Sequence, residues 1–371
     1  MRVLTIVGAR PQFIKAAPVS RVLAGRHEEL LVHTGQHYDE TLSAIFFDEL
    51  GMGAPDYQLA VGSGPTGEQI GTMMRRLGPL LHEVEPDVVL VYGDTHSTLA
   101  AAIVAAHADT LLAHVEAGLR SGNRSMPEEV NRVLTDHASD MLFAPTERAV
   151  TSLAEENIEA GVHLTGDVMV DSLAAASSHG MSDILERLSL TPNAFVVATI
   201  HRAANTDDRD RLTGIMGALT ALEDRVVLPL HPRTKDRLEA TGQLEWVTDN
   251  IEIIEPVGYL DFVTLLEAAA HVITDSGGVQ KEAFLLKTPC VTLRTETEWP
   301  ETLNGGWNVL AEPSRLQRVV DRSKPSANRT EPFGIGQTAE RIVDLLDAAV
   351  EHGEGIRPIQ RSISDRPIAM Q

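Results

Sequence analysis

The chain of 371 residues has a single cysteine, Cys290, set in an apolar stretch. That scarcity excludes an intrachain disulfide framework and any zinc site built from several thiolates. Cys290 itself reads as buried and inert. Lysine is nearly as rare, confined to Lys15, Lys235, Lys281, Lys287 and Lys324. Positive charge is short overall: 31 Lys and Arg stand against 53 Asp and Glu, a formal net charge of −22. Such a chain lacks the basic surface that general nucleic-acid binding needs. Long apolar runs are missing as well. No stretch reaches the roughly 18 apolar residues expected of a membrane-crossing helix. The N-terminus, MRVLTIVGARP, lacks the apolar core and small-residue cleavage site of a signal peptide and reads as a first strand. The expected compartment is the cytoplasm. An acidic, lysine-poor surface fits a protein working in concentrated salt, which screens self-repulsion. A GC-rich genome favouring Arg over Lys would explain the lysines but not the acids.

What is present is an alternation. Apolar strand-like runs VLTIVG (3–8), LLVHTG (30–35), VVLVYG (88–93), LLAHVEA (111–117) and MLFAPT (141–146) each precede a helical stretch, at 13–24, 39–50, 95–107, 128–138 and 147–157. Short buried strands between helices signal a parallel, doubly wound α/β sheet. The pattern then restarts with FVVATI (195–200), VVLPL (226–230), IEIIEP (251–256), HVITDS (271–276) and CVTLR (290–294). Two series predict two Rossmann-like domains, 1–170 and 171–352, with the boundary falling within 166–178 and a loose polar tail over 353–371. No repeat of solenoid period occurs.

In such folds, ligands bind beyond the carboxyl ends of the strands, and the unusual residues of this chain cluster there, which predicts a shared interdomain cleft. Gly8-Ala9-Arg10-Pro11 ends the first strand without a G-x-G-x-x-G fingerprint, which argues against a nicotinamide enzyme. Arg10 reads either as a cation for a phosphate or as a surface residue capping carbonyls. Lys15, one turn on, faces the same cleft or solvent. In Gly93-Asp94-Thr95-His96 a metal reading fails for want of further ligands, and Asp94 reads as an acid group or a helix cap. HVEAGLRSGNRSMPEEVNR (114–132) places Glu116 at the end of an apolar strand, where a charge is costly unless paired. Arg120 and Arg124 are the structural candidates to pair with it. Asp94, Glu116 and Glu128 would form an acid/base set if they converge, because crowded carboxylates raise one another's pKa.

In the second half, TDSGGVQKEAFLL (274–286) puts Ser276, Gly277 and Gly278 between a strand and a helix. Glycines admit close backbone approach, and a helix N-terminus favours an anion; the plain alternative is a turn with Ser276 as cap. His201 and His231 end neighbouring strands and would complete a diphosphate cradle, although a lone strand-end histidine is often structural. Glu282 would accept hydrogen bonds from ribose hydroxyls, or else sit on a solvated helix face.

Taken together, GARPQFIKAAPVS, HTGQHYDE, VYGDTHSTLA, HVEAGLRSGNRSMPEEVNR, TIHRAANTDD, LPLHPRT and TDSGGVQKEAFLLKTPCVTLRTETEWPE resemble, in order and spacing over nearly the whole chain, the non-hydrolysing UDP-N-acetylglucosamine 2-epimerase family. The resemblance implies a two-domain GT-B fold, a homodimer, no metal and no redox cofactor. It implies that Arg10, His201, Ser276, Gly277 and Gly278 hold a diphosphate and Glu282 a ribose, with His201 and Lys15 also counted among the catalytic residues. It also implies that Asp94, Glu116 and Glu128 are catalytic carboxylates, with Lys15 near the sugar. Gln36 and His37 match part of a region through which many members are activated by substrate. The chain departs from the common family pattern at Ala9, Gln12, Ala204 and Lys281. These departures resemble a subgroup that includes epimerases of a diacetamido uronic acid sugar. A GT-B glycosyltransferase or a non-catalytic nucleotide-sugar sensor would share the diphosphate site but would not need the three acids.

Overall fold

The structure, a computed structural model, describes residues 1–36, 47, 49–325 and 330–352. Two compact units emerge, one of Met1–Ala175 with Glu331 onward, the other of Ala176–Thr330. The first contains β1 (Arg2–Val7), β2 (Glu28–His33), β3 (Tyr57–Gln58), β4 (Val88–Tyr92), β5 (Leu111–Val115), β6 (Met141–Ala144) and β7 (Val162–Leu164). They form one parallel sheet in the order β3-β2-β1-β4-β5-β6-β7. The second unit contains β8 (Phe195–Thr199), β9 (Arg225–Pro229), β10 (Glu252–Ile254), β11 (His271–Thr274), β12 (Cys290–Thr292) and β13 (Asn308–Leu310), also parallel, in the order β10-β9-β8-β11-β12-β13. All ten strands expected from the apolar runs are present.

The central strands are apolar on both faces because helices cover both. All five residues of β4 and of β5 are buried, as parallel sheets between helical layers require. Each sheet reverses its direction of growth once, between β1 and β4 in the first unit and between β8 and β11 in the second. Such a switch point leaves a crevice at the carboxyl ends of the two diverging strands. The strand-end motifs open from those places.

Three features depart from the sequence expectation. The long helix Thr66–Val84 and the short strands β3, β7 and β13 carry weak or absent local signals. The second unit does not run to residue 352. Helix Thr338–His352 packs on helix Arg10–Ala24 of the first unit, burying Ile342, Val343, Leu346 and Ala349. Asp171 receives its leading amides, from Gln337 at 2.6 Å and Thr338 at 3.0 Å, and Asp347 meets His27 at 2.6 Å. An amphipathic helix advertises that it covers a core, not which core. The tail expected over 353–371 lies outside the described residues, as do His37 and most of the expected helix 39–50.

Candidate active site

In the first unit the site is built around the β1–β4 switch point. Gly8 ends the packing of β1; a Cβ there would lie 2.1 Å from Thr34 Oγ1 and 2.2 Å from Ser97 Oγ, so no larger residue fits. The Gln12 side-chain oxygen accepts from the amides of Gly8 (2.8 Å) and Ala9 (3.1 Å), while its nitrogen donates to the Tyr92 carbonyl at 2.9 Å. One buried amide thus ties the loop after β1 to the end of β4. A carboxylate could not make the last bond, having no proton to give; this accounts physically for Gln12.

Gly93, with φ +61°, turns the chain out of β4. Asp94 is not a helix cap: Thr95 caps helix His96–Ala105 through its own side chain. Asp94 is instead held by helix Pro127–Ala138. Arg132, only 2% exposed, pairs with the Asp94 carboxylate and with Glu129 at 2.7 Å, and Asn131 donates to the Asp94 carbonyl at 2.8 Å.

Glu116 follows β5 with φ +74°, in the left-handed region. For a non-glycine residue this costs about 1–2 kcal/mol, and such strain concentrates where a side chain must be aimed. The Glu116 and Ala117 amides both donate to the Phe143 carbonyl at 3.1 Å, which holds the turn. The buried Glu116 carboxylate pairs with Lys15. The expected pairing with Arg120 is corrected: Arg120 reaches Asp136 at 2.7 Å and Glu156 at 2.7 Å, because the Gly118 turn carries it back toward those acids. A Cβ on Gly93 would lie 3.2 Å from Lys15 Nζ and 3.3 Å from Glu116 Oε2. The Lys15–Glu116 pair therefore abuts the residue before Asp94.

Glu128 stands half-buried in the first turn of helix Pro127–Ala138. Its charge acts on His96, whose pKa burial lowers and Glu128 partly restores. Asp94, Glu116 and Glu128 thus gather about the Gly93–His96 loop, with Lys15 among them. Sequence reasoning missed Gln12, His114, Glu129, Asn131, Arg132 and Asp136. A signal existed for four of them. Helix Pro127–Ala138 buries Glu129, Asn131, Arg132 and Asp136 while exposing Val130 and Leu134, the reverse of an ordinary core-covering helix. Polar residues on the inward face mark a site.

In the second unit the corresponding place lies between β8 and β11. Thr199 and Thr274 join the two strand ends at 2.6 Å. Asp275, fully buried, accepts from the amides of His201 (3.1 Å) and Arg202 (3.0 Å) and from Asn205 (3.0 Å), so it shapes the loop that presents His201. The His201 side chain is 38% exposed, and its ring lies 5.6 Å from that of His231. His231 also caps its own helix, accepting from the Arg233 amide at 3.2 Å. Ser276 caps helix Gly277–Leu285, its hydroxyl accepting from the Val279 amide at 3.4 Å. Among the described residues, its chain neighbours and own helix backbone apart, a Cβ placed on Gly278 has only Ser276 Oγ within 4 Å, whereas one on Gly277 would strike Glu298 at 2.3 Å. Glu282 is 4% exposed, which overturns the solvated-face alternative. Arg10 opens the first helix after β1, in the other unit. Among the described residues no cluster of His, Cys, Asp or Glu has the arrangement of a metal site.

The family profile described as UDP-N-acetylglucosamine 2-epimerase matches residues 23–347. The chain belongs to that family. It is 46% identical to a UDP-N-acetylglucosamine 2-epimerase homolog of Methanococcus maripaludis, over 93% of this chain and 99% of that protein. It is 45% identical, over the same shares, to the UDP-2,3-diacetamido-2,3-dideoxy-D-glucuronate 2-epimerase of Pseudomonas aeruginosa. Among solved structures it resembles the crystal structure of Methanocaldococcus jannaschii UDP-GlcNAc 2-epimerase in complex with UDP-GlcNAc and UDP. The TM-score is 0.89 at 40% identity, covering 94% of this chain and 100% of that one. The two parallel-sheet units are those of the GT-B fold, as the family resemblance implied. The protein is accordingly an epimerase, an isomerase acting on a UDP-sugar.

Proposed function

We propose that the chain interconverts UDP-N-acetylglucosamine and UDP-N-acetylmannosamine by eliminating and re-adding UDP. The hydrogen on carbon 2 of the sugar is not next to a carbonyl, so its direct removal as a proton is prohibitive. Breaking the bond between carbon 1 and the UDP oxygen sends the electron pair out with UDP and leaves oxocarbenium character on carbon 1. Loss of the carbon 2 proton to a carboxylate then yields 2-acetamidoglucal. Re-addition of UDP, with a proton delivered to the opposite face of carbon 2, gives the epimer. The observation that carries this reading is the gathering of Asp94, Glu116 and Glu128 about one loop at a switch point. Acid/base groups for two faces and negative charge beside a developing cation are what the reaction needs. Lys15 pairs with Glu116, one of these acids. Ser276, Gly277, Gly278, Arg10, His201 and His231 take the diphosphate, and Glu282 the ribose.

Incubation with UDP-GlcNAc alone in heavy water tests the reaction. An epimerase needs no acceptor and places deuterium at carbon 2; a glycosyltransferase or a sensor does neither. The near-equal identity to the Pseudomonas aeruginosa enzyme supports a second reading, in which the substrate is the UDP-diacetamido uronic acid. Running both nucleotides side by side separates them by kcat/KM. The reading extends to a homodimer working in the cytoplasm and supplying sugar for polysaccharide synthesis. The exposed Val130 and Leu134, at 36% and 48%, support pairing of two copies. Sedimentation of a monomer at micromolar concentration would remove that part.

A further inference from the structure

His114 lies on β5 two residues before Glu116 and is entirely buried. Both of its ring nitrogens face acceptors. Nδ1 lies 2.7 Å from Asp136 Oδ1, and Nε2 lies 2.8 Å from the Gly93 carbonyl oxygen. A carbonyl oxygen and an ionised carboxylate only accept, so both bonds exist only if both nitrogens carry protons. Asp136 is ionised. Its other oxygen accepts from the Gly118 amide at 3.1 Å and from Arg120 at 2.7 Å. Burial alone would raise its pKa, but the hydrogen bonds and charges of His114 and Arg120 outweigh that and hold it below the ordinary value.

We propose that His114 is a positioning residue, whose buried ring, bonded at both nitrogens, fixes the Gly93 carbonyl and thereby aims the Asp94 carboxylate. The groups around the ring are Asp136 on helix Pro127–Ala138, Arg120 on the turn after β5, and Glu156, which Arg120 grips through two nitrogens and which His137 meets at 3.2 Å from the surface. The Lys15–Glu116 and Arg132–Asp94 pairs stand beyond them on the site side. Of these groups Asp136 alone is fully buried beside the ring, whereas Arg120 and Glu156 keep 14% and 29% of their side chains exposed. The geometry explains the aim as well. The Gly93 amide donates to the Val115 carbonyl at 3.0 Å, so β5 holds that residue at both its amide and its carbonyl. Asn131 and Arg132 then grip Asp94 from the same helix that supplies Asp136. One buried ring ties together the three places from which the acids project. It touches no reacting atom and works through Asp94.

The inference rests in part on the reaction proposed above, and the experiment separates the two. Ring-¹⁵N NMR of the full-length protein, with the His114 signals identified by contacts to the Asp94 amide, reads the protonation state whatever the reaction. A proton on Nε2 shared with the Gly93 carbonyl is expected; an Nε2 without one overturns the proposal. Carbon 2 exchange reads the positioning. His114→Gln, which keeps one donor for the Gly93 carbonyl, should lose turnover on the order of 100-fold, as misaimed groups do, with UDP affinity within about twofold. His114→Phe, with no donor, should lose more. A folded His114→Gln with near-normal turnover, or with UDP affinity falling in step with turnover, overturns the positioning role. If neither variant folds, the NMR result on the unsubstituted protein decides. No exchange in the unsubstituted protein would sink the reaction, and the ring nitrogens alone would then sustain or overturn the bond to the Gly93 carbonyl.

Discussion

At the scale of single residues, the first unit separates the groups proposed to react from groups that hold them. Asp94→Asn, Glu116→Gln and Glu128→Gln each keep size and remove both charge and proton transfer. Turnover should fall by about two orders of magnitude, the usual scale for losing a general acid or base, while UDP affinity changes little. Single-turnover kinetics with carbon 2 exchange, beside calorimetric UDP titration, checks this; near-normal turnover in all three would remove the trio from the mechanism. The second unit gives a complementary test. A side chain on Gly278 meets open space, with only Ser276 Oγ nearby at 3.9 Å. Gly278→Val should therefore fold normally and yet bind UDP far more weakly, because the helix start can no longer approach a phosphate. Unchanged calorimetric affinity would move the diphosphate elsewhere. Cys290 is buried and its thiol is pushed up to about 12. The native protein should resist thiol reagents at pH 8 and be labelled only after unfolding, which mass spectrometry would read directly.

At the scale of elements, helix Pro127–Ala138 is the organiser. Its Pro127 start and its acidic first turn suit a helix N-terminus. Glu129 is the buried acid of that turn. It accepts from the Ser121 amide and hydroxyl and from the Gly122 amide, all at 2.9 Å, and from Arg132 at 2.7 Å. Burial raises its pKa, but these bonds and the Arg132 charge outweigh burial and leave it below the ordinary 4.5. A depressed folded pKa contributes stability that is complete above the unfolded value and is lost as pH falls through the folded one. Glu129→Gln should therefore destabilise most at neutral pH, and the gap from the unsubstituted protein should narrow as pH drops below about 4.5. Denaturant midpoints measured from pH 7 to pH 3 give the answer, and a gap that ignores pH would count against the ionised network. Removing Arg132 would be harsher, because it takes the cation from both the buried Glu129 and the half-buried Asp94.

At the scale of the whole molecule, the charge of −22 dominates. Like charges repel in the compact state, and salt shortens the range of that repulsion to about 3 Å at 1 M. Thermal melts in rising KCl should move upward substantially if the surface is adapted to concentrated salt. A flat or falling series would leave genome composition as the account of the missing lysines.

Local order was legible in the sequence, because it depends on near neighbours. Apolar runs between turn signals marked the ten expected strands, and Ser276-Gly277-Gly278 marked a helix start by chemistry that needs no tertiary partner. The placing of unusual residues at strand ends followed from the same alternation. What the sequence left open were partnerships between residues far apart along the chain. Lys15 and Glu116 are separated by 101 positions, and Asp94 and Arg132 by 38. Glu116 could have paired with the nearer Arg120; only the turn at Gly118 and the buried Asp136 assigned that arginine elsewhere. The return of helix Thr338–His352 to the first unit has the same character, since its apolar face fits any core until Asp171 and the helix Arg10–Ala24 claim it. By itself the sequence determined ten of the described strands and the Ser276 helix start, and it marked the strand-end side chains proposed to carry chemistry. Tertiary structure alone decided which charges neutralise one another, because the cost of a buried charge is set by its neighbours in space and not by its neighbours in the chain.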